Sequence, residues 1–580
     1  MKNERGIFLV SSVRDMSMTL IYNLKKLKVE AHMSDSNMGG RTNKSCTYHI
    51  WILNGIIHDQ LSSIRKTPVV IQQYDFCQMF DGMENSEACG DIFNYGVNDD
   101  HLKLIHEANR EVVINVKTPH GISGDYTLTQ RIMQGDTWAP SMASAQVDSF
   151  GKEMLEEKPK FMYKYMEEVS IPLLGMVDDL IGITNAGYKT NQLNAFVNVK
   201  AADKDLQFGI EKCKSMIVSK KNPYTFQIPA LSVDSWEIKH EENGDIKETY
   251  TGKQNMKLED SLMYLGHVVS KKGGNIQNIL HKRNKAIGTE RLIMKLIQNM
   301  GPYTFEGALI YIQTLIRNSI LYASETMYNV IEKEWRALEK IEESVLIKVF
   351  KTKRSCPRHL LYLETGMYPA RYQVHRQMLN FLQYILQQPS ESLLQSMLEV
   401  QTRNPTKGDW VSTVTELLEK YNLKMSMKEI QSTTPSIFKN LVKKNVEKCA
   451  FNDLIKKQKS GQKGQLLVFE RLEMSDYLLP ECKISVEDKI ELFSIRSEMN
   501  NLPCNFGKET QCEQGCYEVL NSEHIYSCTK LNKQKIPINN YENILKGTMN
   551  QKVEVLKKIQ ENNLIRMQKL RDSVDINVNC

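Results

Sequence analysis

The sequence predicts a mixed α+β protein: one sheet with helices packed on one face, followed by a long and almost wholly helical region. Three observations predict it. Short apolar or β-branched runs bounded by turn signals fall at Pro68-Val69-Val70-Ile71, at Ile171 to Ile183 and at Ser215 to Ser219, as strands require. Segments of helical character lie between them, from Met133 to Glu157 and from about Asn191 to Leu206. From Ile276 to about Leu398 positions such as Leu309, Ile312, Leu315 and Ile316 recur at helical spacing.

In chain order, a turn-like segment, Ser34-Asp35-Ser36-Asn37-Met38-Gly39-Gly40-Arg41, precedes a helical pattern from about Tyr48 to Ile64. The first strand then delivers the chain to Asp75. Glu111 to Leu128 reads as a hairpin, with turn signals at Pro119-His120-Gly121 and Gly124-Asp125. A glycine turn at Met133-Gln134-Gly135 leads into a helix. Polar residues from Gln401 to Gly408 separate the helical region from further helices. In the tail, Leu545, Met549, Val553, Leu556 and Ile559 fit one amphipathic helix. There is no internal repeat and no low-complexity tract.

At 580 residues the chain is too long for one core, so roughly two to four domains are expected. A net charge of +6 is small for this length and does not by itself mark a nucleic-acid binder. Local clusters are the candidates for phosphate contact: Lys271, Lys272, Lys282, Arg283 and Lys285; Lys351, Lys353, Arg354 and Arg358; Lys456, Lys457, Lys459 and Lys463. Each cluster taken alone reads better as a solvated face. Scattered cysteines without a secretory leader point to a reducing compartment. The apolar stretch Ala308 to Tyr322 is interrupted by Gln313, Arg317 and Asn318, so no membrane span is expected. The expectation is a soluble, intracellular protein of the cytoplasm and nucleus.

The sharpest local feature is Asp178-Asp179, set inside the apolar run Pro172-Leu173-Leu174-Gly175-Met176-Val177 and Leu180-Ile181-Gly182-Ile183. Adjacent acids in such a run are costly unless they sit at a hairpin tip, where they meet solvent or a cation. Alone, the pair reads as a β-turn. Asp75 changes that reading, because it too ends a buried strand, 103 residues upstream of Asp178. Three carboxylates brought together repel one another unless they hold divalent metal, and hard oxygen ligands suit Mg²⁺. Two such ions about 4 Å apart are a standard device of phosphoryl transfer.

Asp75-Phe76-Cys77-Gln78-Met79-Phe80-Asp81 resembles the first catalytic motif of reverse transcriptases. Met133-Gln134-Gly135-Asp136-Thr137-Trp138-Ala139-Pro140 resembles the second, and Met176-Val177-Asp178-Asp179 the third. Arg5-Gly6-Ile7 and the segment from Ser34 to Arg41 resemble finger motifs of polymerases from non-long-terminal-repeat retrotransposons. Glu211-Lys212-Cys213-Lys214-Ser215 resembles the family's lysine-bearing motif, and Tyr264-Leu265-Gly266 the start of its primer grip. The ordered set spans roughly residues 3 to 350. Met176 stands where the family usually has an aromatic residue, Ala139 where serine is common and Gly40 where phenylalanine is common. None of these departures removes a catalytic group.

The resemblance implies a right-hand polymerase: fingers over 1–70, a palm over 71–270, a helical thumb over 271–400, a helical connector over 401–495, a zinc knuckle over 496–535 and a helical tail over 536–580. Asp75 and Asp178 would ligate two Mg²⁺ ions, with Mn²⁺ as a substitute, and Asp179 would support them. Phe80 would exclude a ribose 2′-hydroxyl; otherwise it is a core aromatic. Gln134 and Gly135 would let backbone approach template and nucleotide. Arg41 would hold the triphosphate, or is a surface arginine. Lys214 would protonate the leaving pyrophosphate, or is a solvated lysine. The implied partners are an RNA template, a DNA primer, deoxynucleoside triphosphates and a retroelement RNA–protein complex.

Cys512, Cys516, His524 and Cys528, with Cys504 as a substitute, suit tetrahedral Zn²⁺ in a structural role. The alternative is a set of free thiols. The family, whose members often end in such a knuckle, favours zinc. The leading expectation is an RNA-directed DNA polymerase of a retrotransposon, without the endonuclease that usually precedes it. The alternatives are a nucleic-acid-binding descendant without activity, and a helical scaffold that leaves the three motifs unexplained.

Overall fold

Pro68, which has no N–H to give a ladder, opens the first strand, and its carbonyl accepts from Ala186 N at 2.7 Å. The computed structural model describes residues 12–62, 67–77, 79–118, 121–129, 132–133, 135–220, 232–240, 246–299, 305–464, 467–482 and 485–499. Gln134, the Arg5-Gly6-Ile7 motif, the cysteine–histidine cluster and the amphipathic tail lie outside the described residues. The chain divides into two compact units. The first holds residues up to Asn278 with Thr326–Asn329 and Tyr384–Thr415; the second holds Ile279–Glu325, Val330–Gln383 and residues from Glu416 onward.

In the first unit the chain order is helix α1 (Ser12–His32), helix α2 (Thr47–Ser62), strand β1 (Val69–Asp75), helix α3 (Ala139–Glu157), strands β2 (Leu174–Met176) and β3 (Asp179–Asn185), helix α4 (Tyr188–Asp203), and strands β4 (Lys214–Val218) and β5 (Lys257–Leu258). The five strands form one sheet in the order β5-β4-β1-β3-β2. β1 is antiparallel to both β3 and β4, and only the β4–β5 pair is parallel. This is the mixed α+β arrangement that the strand and helix runs predict. The expected hairpin after residue 110 is two nested ladders, Glu111–Ile114 with Tyr126–Thr129 and Lys117–Thr118 with Gly121–Ile122.

The expectation of helices on one face only needs correction. On one face, Val70 and Tyr74 join a core with Val147, Phe150 and Met154 of α3 and Leu193 and Val197 of α4. Two buried donors share one acceptor there: Gln72 Nε2 donates to Asn194 Oδ1 at 2.5 Å and Tyr74 OH to the same oxygen at 2.7 Å. The opposite face, carrying Val69, Ile71 and Gln73, is buried as well. Gln73 Nε2 donates to Met263 O at 3.1 Å, in a hairpin of Ser261–Tyr264 and His267–Ser270. α2 packs near that hairpin and β4, with Ile50, Trp51, Ile52, Leu53, Ile56 and Ile57 all buried. A strand covered on both sides reads as a continuous apolar run and not an alternation, which is what Val69-Val70-Ile71 is.

The second unit is helical among the described residues. It contains all but the first residues of helix α5 (Ile276–Asn299), helix α6 (Glu332–Val349), helix α7 (Arg358–Thr365) and the 26-residue helix α8 (Pro435–Ser460). A buried ion pair, Arg317 Nε to Glu342 Oε1 at 2.6 Å, ends a π-helical stretch from Ile312 to Arg317. Lys282, grouped above with surface cations, belongs to the buried face of α5 with Ile279, Ala286 and Ile293. Its ammonium donates to Ile320 O at 2.8 Å and Tyr322 O at 2.7 Å, so it is not available to phosphate. Among the described residues no helix is long and apolar enough to cross a membrane.

Candidate active site

The antiparallel register places Asp75, the last residue of β1, directly opposite Asp179, the first of β3. Directly opposed residues of an antiparallel pair project to the same face. That face is the one carrying Ile71 and Gln73, away from α3 and α4. Asp178 lies one residue before, in the two-residue turn between Met176 and Asp179, the last pair of the β2–β3 ladder. All three acids are partly exposed.

The turn is unusual at Val177, whose φ is +59°. Two-residue hairpins want such backbone, but they normally take it with glycine or asparagine. A β-branched residue there is a genuine outlier, at about 1–2 kcal/mol of local cost. Surrounding structure must therefore hold it. The Ser34–Arg41 loop does so. Met38 N donates to Gly175 O at 3.0 Å and Gly175 N to Ser36 O at 3.1 Å, extending the hairpin edge. Asn37 Nδ2 donates to Ser144 O of α3 at 2.7 Å. Gly39 presses so close that a Cβ there would stand 2.4 Å from both Val177 N and Ser144 Oγ.

Arg41 belongs to the same brace. Its guanidinium donates to the carbonyls of Ser34 at 2.6 Å, Asn37 at 2.8 Å and Glu30 at 3.1 Å, closing the loop on the end of α1. His49 joins this loop to the Tyr264 segment: one ring nitrogen meets Ser36 O at 2.9 Å and the other Tyr264 OH at 2.9 Å. Burial lowers the His49 pKa to about 4. The neutral ring therefore donates to the carbonyl and accepts from the phenol. Tyr264 itself precedes a tight turn in which Leu265 and Gly266 both have positive φ.

The backbone of Asp75 is gripped by the segment after α4. Gly209 N donates to Asp75 O at 2.8 Å, and Cys77 N donates to Gln207 O at 2.7 Å. Asp75 N donates to Cys213 Sγ at 3.4 Å, a thiol that burial pushes up to about 11 and so keeps protonated. The cation at the site is Lys212, whose Nζ lies 3.2 Å from Asp75 Oδ1. Lys214 pairs with Gln73, on the same face as Asp75 but two residues back. Sequence reading singled out Lys214 and passed over Lys212; the strand register was the missing signal.

The remaining candidates are placed as follows. Phe80, on the short helix Met79–Gly82, is half-buried and packs on the core beneath the sheet. Gly135 is exposed with φ +111°. Asp136 beside it is buried, accepts from Trp138 N at 2.9 Å and pairs with Arg14 of α1 at 2.9 Å. That pair fixes the glycine turn at the start of α3 and had no local sequence signature.

No protein-family model matches the chain, and no curated protein is significantly similar. Solved structures do match. The likeness is to telomerases. Apo telomerase from Candida tropicalis aligns over 73% of this chain and 61% of its own, at 11% identity and a TM-score of 0.34. The same enzyme with a TWJ fragment of telomeric RNA aligns over 74% and 56%, at 10% identity and 0.32. Telomerase from Candida albicans with such a fragment aligns over 59% and 55%, at 10% identity and 0.32. The chain thus spans 55% to 61% of the length of these proteins. At these TM-scores the likeness is too loose to establish a common fold.

As donors, the three carboxylates fit a hard divalent cation: oxygen ligands, partly exposed, on the paired ends of β1 and β3 and in the turn from β2 to β3. They are not gathered into a closed site. Among the described residues no three His, Cys, Asp or Glu side chains converge on one point, and Asp75 is neutralised by Lys212.

Proposed function

We propose that the chain is an RNA-directed DNA polymerase of the non-long-terminal-repeat retrotransposon type, acting on nucleic acid in the cytoplasm and nucleus. One observation carries the reading: Asp75 and Asp179 oppose each other at the open end of paired strands, with Asp178 in the turn between β2 and β3. The three ordered motifs described above supply the rest of its support. Asp75 and Asp178 would hold two Mg²⁺ ions, supported by Asp179. When bound, such ions activate a primer 3′-hydroxyl and stabilise the charge on leaving pyrophosphate.

The chain's own groups have separate tasks. The Ser34–Arg41 brace fixes the turn that carries Asp178. Gly135 lets backbone approach the template and nucleotide, with Gln134 beside it. Phe80 excludes a 2′-hydroxyl, so that deoxynucleotides are taken. Arg41 acts on triphosphate only if its three carbonyl partners release it. Lys214, or Lys212 beside Asp75, gives a proton to the leaving pyrophosphate. Cys512, Cys516, His524 and Cys528 hold a structural Zn²⁺.

One observation favours a second reading, a nucleic-acid-binding descendant without activity: Asp75 is ion-paired and the carboxylates are not gathered. Primer extension separates the two. Purified protein with Mg²⁺, an RNA template and an annealed DNA primer is expected to add deoxynucleotides, and Asp178→Asn to lower the rate at least about a hundredfold. No extension by the wild-type chain, or undiminished extension by the variant, sinks the polymerase reading.

A further inference from the structure

Helix α8 has its apolar residues at every fourth position: Phe438, Val442, Val446, Ala450 and Leu454 are buried, with Gln458 continuing the line. This side packs on α7. Around the rest of the helix stand Lys439, Lys443, Lys444, Lys448, Lys456, Lys457 and Lys459, all exposed. With seven lysines against two acids the helix carries a net charge of +5, beside +6 for the entire chain.

The lysines are not offset locally. The helix's two acids, Glu447 and Asp453, are half-buried, and Asp453 accepts from Tyr372 OH. None of the seven lysines has an ion-pair partner among the described residues. Lys439 with Lys443, and Lys444 with Lys448, stand four residues apart, where like charges work against a helix. A shallow groove of about 500 Å³ lined by Asn452, Ile455, Lys456, Lys459 and Ser460 runs beside the C-terminal end.

We infer that the exposed side of α8 is a docking surface for the phosphodiester backbone of nucleic acid. A helix of 26 residues is about 39 Å long. Over that length one strand of a duplex presents about eleven phosphates, enough to meet successive lysines along the helix. Lysine supplies charge without the forked geometry that reads bases, and contact is therefore independent of sequence. An anionic membrane fits less well. The apolar side of α8 is committed to the protein core, and the large apolar residues it exposes, Ile437 and Leu441, sit at one end, whereas surface-lying helices need a continuous apolar face. The inference stands apart from the polymerase reading, because it rests on charge and exposure in the second unit alone.

The test is the salt dependence of binding by the full-length chain, carrying Asp178→Asn to keep catalysis out of the readout. The probes are a labelled RNA hairpin and a DNA duplex of matching sequence, with phosphatidylcholine–phosphatidylserine vesicles as the third arm. Replacing Lys439, Lys443, Lys444 and Lys448 by glutamine is expected to flatten the slope of log Kd against log salt by about 3 to 4. The same positions as arginine should keep the slope, which separates lost charge from lost structure. Glutamine at Lys103, Lys117, Lys158 and Lys160, exposed on the first unit, should leave it unchanged. The RNA and DNA arms show which backbone is preferred. An unchanged slope in the α8 variant, an equal change in the first-unit variant, or α8-dependent binding to vesicles and not to nucleic acid overturns the inference.

Discussion

Lys212 and Asp75 form the contact on which the site turns. Lys212 is 59% exposed, and a surface pair of this kind contributes at most about 1 kcal/mol. The lysine can shield the carboxylate but cannot lock out a divalent cation. Lys212→Ala should therefore lower the Mg²⁺ concentration for half-maximal extension by up to about fivefold, with little change in kcat. A fall in kcat would instead make Lys212, and not Lys214, the proton donor to pyrophosphate. Lys282 is the opposite case, a lysine with no access to solvent. Burial lowers its pKa from 10.5 to about 7. Between those values the unfolded chain binds a proton that the folded chain does not, so stability rises with pH across that window. Below about pH 7 both states are protonated and the dependence vanishes. The slope approaches about 1.4 kcal/mol per pH unit. Denaturation midpoints of wild type and Lys282→Met, followed from about pH 6 to about pH 10, should shift in favour of the wild type above neutrality. A constant difference would show that folded Lys282 keeps its proton throughout, as the unfolded lysine does.

Among elements, the β2–β3 hairpin depends on a loop more than a hundred residues earlier in the chain. Because Gly39 leaves no room for a Cβ beside Val177 N, Gly39→Ala must displace either the loop or the turn. Misplacement by about 1 Å in a catalytic group can lower turnover about a hundredfold. Gly39→Ala is expected to lose extension on that scale and about 1–3 kcal/mol of stability while its circular dichroism keeps the wild-type form; full activity would remove the brace from the mechanism. The elements themselves were legible: Val69-Val70-Ile71 as a buried strand, the apolar run around Asp178-Asp179 as a hairpin, and the stretch after Gly135 as a helix. Their pairing was not, because register is set between strands distant in sequence. For that reason the sequence could bring the ends of two strands together at Asp75 and Asp178-Asp179 but could not show that Asp75 faces Asp179, nor that Lys212 and not Lys214 reaches Asp75. Arg41 illustrates a second limit. A guanidinium suits a phosphate and a cluster of carbonyls equally well, and only the loop's path shows which partners surround it. Lys282 illustrates a third, since a lysine run carries no mark of which member a helix will turn inward.

At the scale of the molecule, the first unit is drawn from three stretches of chain. Leu393 N donates to Asp35 Oδ2 at 2.8 Å, in the loop that braces the hairpin. Trp410 meets Trp51 of α2 edge-on, with ring centroids 5.5 Å apart. Asn275 Nδ2 donates to Tyr328 O at 3.0 Å. These contacts impose an order on biosynthesis. A nascent chain that has reached Asn278 holds every acid of the candidate site, yet α2 still lacks Trp410 and the bracing loop still lacks its tie to Leu393. Ribosomes add about 5–20 residues per second, and 137 further residues separate Asn278 from Thr415. For roughly 7 to 27 seconds the unit is therefore incomplete, its apolar helix waiting for a partner not yet translated.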